Sequence, residues 1–401
     1  MAGNEVTAAA HDDVVLCVNS GSSSLKFAVF VVRGETFEAV VDGAVEGIGL
    51  PQGNAWLRAG TDRQERHDAY PDHASAFDAA FALLRAGQTP APSIVGHRIV
   101  HGGTRYREPV RIDDAVLREL RTLVRLAPLH MPAAIAGIEG VALRLPDVPQ
   151  IGCFDTAFHA TLPEIARRLP LPERFNDAGI RRYGFHGISY EYVMSTLGDS
   201  VPRRVILAHL GNGSSLVAVR DGRAVDTTMG LTPTGGIVMG TRAGDLDPGV
   251  LIHLLREQKL SADDLERLLV RESGLIAIGG TSDVKELVRR AGEDERARLA
   301  LSMFGYAVRK AIGSFVAVLG GADLLVFTGG IGEHAAEVRR EACRGLEAMG
   351  IELDDDRNTR GLGVISADAS RCTVRIIPTN EDLMIARHVR QVVRENVTSS
   401  R

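Results

Sequence analysis

Four short strings bring together side chains suited to handling anions. "GHRIVHGG" carries Arg98 with His97 and His101, "GCFDTAFH" sets Asp155 directly behind an apolar run, "RRYGFHG" holds His186 between glycines, and "MGTRAGDLDPG" packs Arg242 with Asp245 and Asp247 into a glycine-broken loop. Taken singly, each has an ordinary structural reading: a loop arginine is usually a surface ion pair, and a histidine beside glycine is usually satisfied within the fold. Taken together, two arginines, an imidazole and a carboxylate are the parts of a phosphoryl-transfer site, where catalysis is mostly positioning and stabilisation of charge.

Such a site needs phosphate cradles, and the chain offers three glycine clusters. "VVLCVNSGSSSLKFAVF", residues 14–30, and "RVILAHLGNGSSLVAVR" align without gaps when Ser24 and Leu25 are laid on Ser215 and Leu216. Each reads as an apolar strand, a Gly/Ser/Asn turn and a second apolar strand. Turns of this composition leave backbone N–H groups pointing outward and let an anion come close, since no Cβ intervenes. Lys26 adds a positive charge and Asn19 a polar oxygen to the first turn, and Asn212 and Ser214 add neutral donors to the second. Neither matches the G-x-x-x-x-G-K-[ST] phosphate loop.

The third cluster, Gly329, Gly330 and Gly332, joins an apolar strand to an amphipathic helix, a junction that aims a helix N-terminus at an anion or a nucleotide. Its string "GIGEHA" also fits the dinucleotide fingerprint G-x-G-x-x-A, with Glu352 at about the distance of a ribose-binding acid. Only 71 residues follow Gly330, too few for a dinucleotide domain starting there.

The elements that must position these residues read as α/β. "VVLCV" has little alternation, as expected of a strand buried on both faces. Strand-like runs recur at "IVGHRIVHGG", "PQIGCFD", "RRVILAHLGNG", "SLVAV", "DLLVFTGG" and "VRIIPT". Apolar residues at helical spacing follow Asp113, a capping residue, as far as Leu126, and further helices are expected over 251–269, 297–318 and 335–349. Two matching hairpins, each heading half of the chain, imply duplicated α/β lobes whose turns face one another across a cleft.

Bulk properties narrow the function classes. A chain of 401 residues is long for one domain at roughly 150 residues each. A net charge of −5 offers no general attraction for nucleic acid or an acidic membrane surface. No uninterrupted apolar segment reaches the roughly 20 residues of a membrane helix. Cys17, Cys153, Cys343 and Cys372 are far apart, without zinc-ribbon or disulfide-framework spacing, and the N-terminal residues lack the pattern of a secretory signal. A cytoplasmic protein is expected.

On "NSGSSSLK", "GHRIVHGG", "APLH", "FDTAFH", "RRYGFHG", "HLGNGSS", "GLTP", "MGTRAGDLDPG", "FTGGIGE" and "PTNEDLMIAR", in that order, the chain resembles the acetate and butyrate kinase family. That family lies within the sugar kinase, heat-shock ATPase and actin superfamily, and the likeness runs from about Val14 to Arg390. It implies two duplicated actin-like (ribonuclease H-like) lobes around a nucleotide cleft. The first lobe would be 13–157, with a C-terminal helix 384–401 packing back on it, and the second, nucleotide-binding lobe would be 158–383. The implied reaction is reversible, Mg²⁺-dependent, direct in-line transfer of the ATP γ-phosphoryl group to acetate, giving acetyl phosphate and ADP, with Mn²⁺ as an alternative metal and a homodimer as the assembly.

Carried over residue by residue, the resemblance makes Asn19 and Glu381 metal ligands and sets Ser24 and Lys26 near the phosphates. It makes His209, Leu210, Gly211, Asn212 and Gly213, Asp283, Val284 and Lys285, and Gly330, Ile331, Gly332, Glu333 and His334 nucleotide contacts. Arg98 would hold the acetate carboxylate, Val100, Leu129, His130, Phe185 and Pro233 would contribute to the substrate pocket, and His186 and Arg242 would neutralise the moving phosphoryl group. Asp155 would be the catalytic carboxylate. Acetate carries no proton at pH 7, so a general base has nothing to remove, and Asp155 is read as orienting an arginine or the metal shell.

The chain departs from the family pattern at several points. Met131, Pro132, Ala133 and Ala134 follow "APLH" in place of Asn and Pro-Pro; Ile188, Ser189 and Tyr190 follow "FHG" where Thr-Ser-His is common. Thr234 and Gly235 replace Leu-Glu, Lys285 replaces an Arg, and His334 replaces an Asn of the nucleotide loop. These changes leave base preference open. Two rival readings remain: a propionate or butyrate kinase of the same family, differing in pocket volume, and a non-catalytic nucleotide-binding actin-like protein, against which the retained Arg98, His186, Arg242 and Glu381 argue.

Overall fold

A computed structural model describes residues 12–128 and 130–399, so Leu129 lies outside the described residues. The chain divides into two compact units, one of residues up to Ala157 with those from Asn380 onward, the other Phe158–Thr379.

The first unit holds an eight-stranded sheet in the order β5-β4-β3-β2-β1-β6-β8-β7. Its strands are β1 (Asp13–Ser20), β2 (Ser24–Arg33), β3 (Thr36–Glu46), β4 (Gly53–Ala59), β5 (Asp62–Asp68), β6 (Ile94–Ile99), β7 (Val110–Arg111) and β8 (Gln150–Phe154). In the second unit, β9 (Arg204–Leu210), β10 (Ser214–Arg220), β11 (Arg223–Thr227), β12 (Leu324–Thr328) and β13 (Thr373–Ile376) form a sheet in the order β11-β10-β9-β12-β13. The run β3-β2-β1-β6-β8 repeats this order strand for strand. In each, the leading strand pairs antiparallel with the next, that one pairs antiparallel with the third, and two parallel strands complete the other side. This is the duplicated actin-like layout, and Val14–Val18 at the centre of the first copy are all buried, which accounts for their lack of alternation.

The two hairpins do not share a register. The gapless alignment would pair Ser215 with Asn212, whereas β10 pairs it with His209, so the second turn is tighter. In the first, Ser20 pairs with Leu25 and the Gly21 N–H donates to the Ser24 carbonyl at 2.7 Å. The alternation-based reading also misses β3, β4 and β5. The last of these, "DRQERHD", is exposed along its whole length and carries no hydrophobic pattern to read.

Helices follow their caps. Asp113 accepts from the Val116 N–H at 2.8 Å and starts Asp114–Thr122, which tightens into a 3-10 turn over Leu123–Leu126. The expected 251–269 helix is two, Pro248–Arg256 and Ala262–Arg271, separated by a segment in which Lys259 has a positive φ. The expected 335–349 helix stops at Cys343. Glu295–Leu319 has the length and composition to cross a membrane. Its buried residues Ala297, Ala300, Leu301, Phe304, Val308, Ala311, Ile312 and Phe315 lie on one stripe and belong to the core of the second unit, as in an amphipathic core helix.

The C-terminal helix begins at Glu381, three residues before its expected start, and packs on the first sheet. Gly96 makes this approach feasible, because a Cβ there would stand 2.5 Å from Ile385 Cγ2 and 2.7 Å from Val389 Cγ2. Glu381 and Asp382 are thereby carried to the ends of β1 and β6.

Candidate functional site

In the first unit the functional side chains collect at the carboxyl ends of parallel strands, the usual ligand edge of an open α/β sheet. Arg98, next to last in β6, pairs in register with Cys153 of β8, and Asp155 follows two residues later. Asp155 is 1% exposed and accepts from Arg98 Nε at 3.1 Å and from Nη2 at 2.6 Å. Arg98 Nη1 donates to Asn19 Oδ1 at 3.4 Å, and Nε lies 3.6 Å from Glu381 Oε2. Burial by itself would loosen the Arg98 proton, but Asp155 and Glu381 outweigh it and hold the guanidinium charged. These contacts take three of the five guanidinium N–H groups. One N–H on each Nη is uncommitted in them, which suits a carboxylate or phosphate ligand.

Asn19 and Glu381 supply two oxygen donors beside this arginine. Mg²⁺ takes oxygen ligands, usually one or two carboxylates together with waters and substrate phosphates. The set therefore fits a metal brought in with a nucleotide, and among the described residues no cluster of three or more His, Cys, Asp and Glu offers a dedicated cage. Lys26 pairs with Asn19 across the first hairpin and is exposed, while Ser24 is half-buried at the turn. His73 donates from Nε2 to the Gly21 carbonyl at 2.8 Å and ties that turn to the helix His73–Ala86. Val100 packs at the margin of an apolar cluster, and His130 sits at the N-cap position of the helix Met131–Arg144 without a side-chain capping bond.

In the second unit His186 and Arg242 converge on the β9–β10 turn. A Cβ on Gly213 would stand 3.4 Å from both His186 Nε2 and Arg242 Nη1, so this glycine leaves space between two donors. His186 has φ 59°, a left-handed conformation uncommon for a side-chain-bearing residue and often found at functional sites. Its ring stacks on His209 with centroids 4.3 Å apart. Arg242 donates from Nη1 to the Pro233 carbonyl at 3.0 Å, and its loop is held by Gly274, where a Cβ would come within 2.2 Å of the Met239 carbonyl. Phe185 is buried and its carbonyl accepts from His159 Nε2.

A cavity of about 510 Å³ opens beside the same turn. Gly211 and Asn212, Asp283, Val284 and Lys285, and Gly330, Ile331 and His334 line it, and its size suits a nucleoside. Five expected contacts in this unit do not. Leu210 is fully buried in the core, Gly332 is buried, His209 turns to Ser189, Gly213 faces His186 and Arg242, and Glu333 accepts the Gly329 and Thr379 N–H groups at 2.9 and 3.1 Å. Ser282, Val288, Ala335 and Glu337 line the cavity without having been anticipated. Helical spacing signals one of them: Val288 lies one turn after Val284 in the helix Val284–Arg290.

An anion-ready arginine in each of two duplicated α/β units, and a nucleoside-sized cavity at glycine turns of the second, define a phosphotransferase of the actin-like class. The chain matches the Acetokinase family over residues 14–387 and belongs to that family. It is 44% identical to an acetate kinase of Corynebacterium jeikeium over 398 residues, 95% of this chain and 99% of that one. An acetate kinase of Rhodopseudomonas palustris is equally similar, covering 94% of this chain and 98% of its own length. Among solved structures, Porphyromonas gingivalis acetate kinase superposes with a TM-score of 0.85 at 37% identity, covering 95% and 100% of the two chains. A propionate kinase from Francisella tularensis reaches 0.90 at 34% identity, with the same coverage.

Burial sets the protonation of groups around these sites. His97, whose Nε2 donates to Gln150 Oε1 at 2.6 Å, falls to about 4 through burial, partly offset by that bond. His159 also falls to about 4 through burial, with the Phe185 carbonyl opposing. Burial, reinforced by Glu381, pushes Asp382 up to about 6 against Lys26 and Arg98. Each histidine, near 6.5 when unfolded, binds protons more readily in the unfolded chain. Its contribution is therefore complete above pH 6.5 and is lost as pH falls towards 4, by roughly 2 kcal/mol between pH 7 and 5. Asp382 acts in the opposite sense, gaining roughly 1 kcal/mol over the same interval. Urea unfolding of metal-free protein is expected to lose about 3 kcal/mol on acidification from pH 7 to 5; equal or greater stability at pH 5 contradicts these burials.

Proposed function

We propose that this protein transfers the γ-phosphoryl group of ATP to acetate, reversibly and directly in line, giving acetyl phosphate and ADP. Membership of the Acetokinase family supports the reaction class. The observation that carries the site reading is Arg98, held charged by a buried carboxylate with N–H groups left for a ligand.

Arg98 takes the acetate carboxylate, and its fixed orientation lowers the cost of bringing an anion towards a triphosphate. Arg242 neutralises charge on the transferring group and the Nε2 side of His186 hydrogen-bonds to it, a position that Gly213 leaves room to approach. Asp155 fixes Arg98 and moves no proton. Adenosine occupies the cavity lined by Asp283, Ile331 and His334, with Lys26 and Ser24 acting on the phosphates. Asn19 and Glu381 would hold Mg²⁺, or Mn²⁺, which when bound neutralises phosphate charge. Val100, Leu129, His130, Phe185 and Pro233 are assigned to acetate binding.

The likeness to a propionate kinase favours some acceptance of the longer acid. A coupled assay of ADP release with acetate, propionate and butyrate in parallel tests both readings. Acetate is expected to give the highest kcat/KM, with each added methylene costing about 10- to 200-fold. Release with none of the three acids, by folded protein, contradicts the proposal, and a preference for propionate moves it to the sister reaction.

The protein is further assigned to the cytoplasm as a homodimer that binds neither nucleic acid nor membrane. Cys17, Cys153, Cys343 and Cys372 are all buried thiols with no disulfide among the described residues, which agrees with a reducing compartment. In the second unit Leu246, Met303 and Tyr306 border an open groove of about 740 Å³, and Tyr306 is 57% exposed, an apolar surface that a second copy would cover. Sedimentation equilibrium is expected to give twice the 43.0 kDa chain mass; a monomer at concentrations of about 10 μM contradicts the dimer.

A further inference from the structure

The phosphoryl-transfer reading gives His186 a role but leaves open which ring nitrogen carries its proton. The neighbouring hydroxyls answer this. Ser215 Oγ lies 2.8 Å from His186 Nδ1 and 2.6 Å from the Tyr190 hydroxyl, and all three residues are buried. A serine hydroxyl has one hydrogen to donate. A phenol, with a pKa near 10, is a much stronger donor than an alcohol, and 2.6 Å suits a phenolic O–H given to a serine oxygen. Tyr190 therefore donates to Ser215, whose own hydrogen passes to His186 Nδ1.

That direction leaves the ring proton on Nε2, the nitrogen beside the space at Gly213. The stacked partner is fixed independently. Ser189 Oγ donates to Thr379 Oγ1 at 2.9 Å, so its 2.8 Å contact with His209 Nδ1 is donated by the imidazole.

We propose that Tyr190 and Ser215 are positioning residues that hold His186 as its neutral Nε2–H tautomer, so that an uncharged N–H donor meets the transferring phosphoryl group while Arg242 supplies the charge. The inference rests on the phosphoryl-transfer reading for its consequence, though not for its geometry. Tyr190 stands where the family string commonly has histidine, so the relay is a feature of this chain.

Nitrogen-15 NMR of the full chain with labelled histidine, assigned by a His186→Asn variant, reads the tautomer directly. At about pH 7.5, Nδ1 should resonate as an unprotonated and Nε2 as a protonated nitrogen. Tyr190→Phe should mix the tautomers and lower kcat about 10- to 100-fold with each KM within about threefold, and Tyr190→His should recover most of the loss. A proton found on Nδ1 of wild-type His186, or a Tyr190→Phe variant with unchanged spectrum and kcat, overturns the proposal. Wild-type protein with the Nε2–H tautomer and no carboxylate kinase activity would overturn the function and leave the relay standing.

Discussion

A guanidinium and a carboxylate cannot be taken out of water separately at tolerable cost, and the first unit is organised around keeping Arg98 and Asp155 together. Breaking a buried pair of this kind costs about 3–5 kcal/mol, because one charge is left uncompensated. Parallel pairing of β6 with β8 supplies the register, setting Arg98 opposite Cys153. The Asp155 N–H donating to the Ile99 carbonyl at 3.0 Å continues that register past the strand end. Asn19 from β1 and Glu381 from the C-terminal helix complete the surroundings of the cation. The last turns of chain thus matter to chemistry sited near its beginning, and Gly96 is small because that helix must come close.

The second unit solves a different problem with the same strand layout. Its tighter hairpin brings Gly213 between His186 and Arg242 instead of presenting a serine-rich loop with a lysine. Duplication supplied two similar frames. Small changes at their turns and strand ends gave one a lysine and an acid-paired arginine and the other a stacked pair of imidazoles with a nucleoside-sized cavity.

Much of this was legible in the sequence wherever local chemistry dictates local form. The unalternating "VVLCV" announced a doubly buried strand, Asp113 announced a helix start, and the two hairpins announced the duplication. The cavity lining at Gly211, Asn212 and Gly330 lies in glycine turns whose composition already favours an anion, whereas Asp283 follows only from the family resemblance. What stayed hidden depends on partners distant in the chain. Nothing near Glu333 says that its carboxylate will tie down the Gly329 and Thr379 N–H groups. Nothing near Gln150 marks it as the partner of His97, and the hairpin register is decided by backbone pairing that an alignment of letters does not contain. The all-polar β5 is held by its neighbour β4 and has no pattern of its own.

Asp155 is proposed to work by fixing the charge of Arg98 and never by moving a proton. The pH dependence of kcat in an Asp155→Asn variant, confirmed as folded by circular dichroism, tests this most directly. A large loss of activity that stays even across about pH 6 to 8 is the predicted result. A defect confined to the acidic side, or one that disappears as pH changes, would show Asp155 acting as an acid or base and would contradict the account.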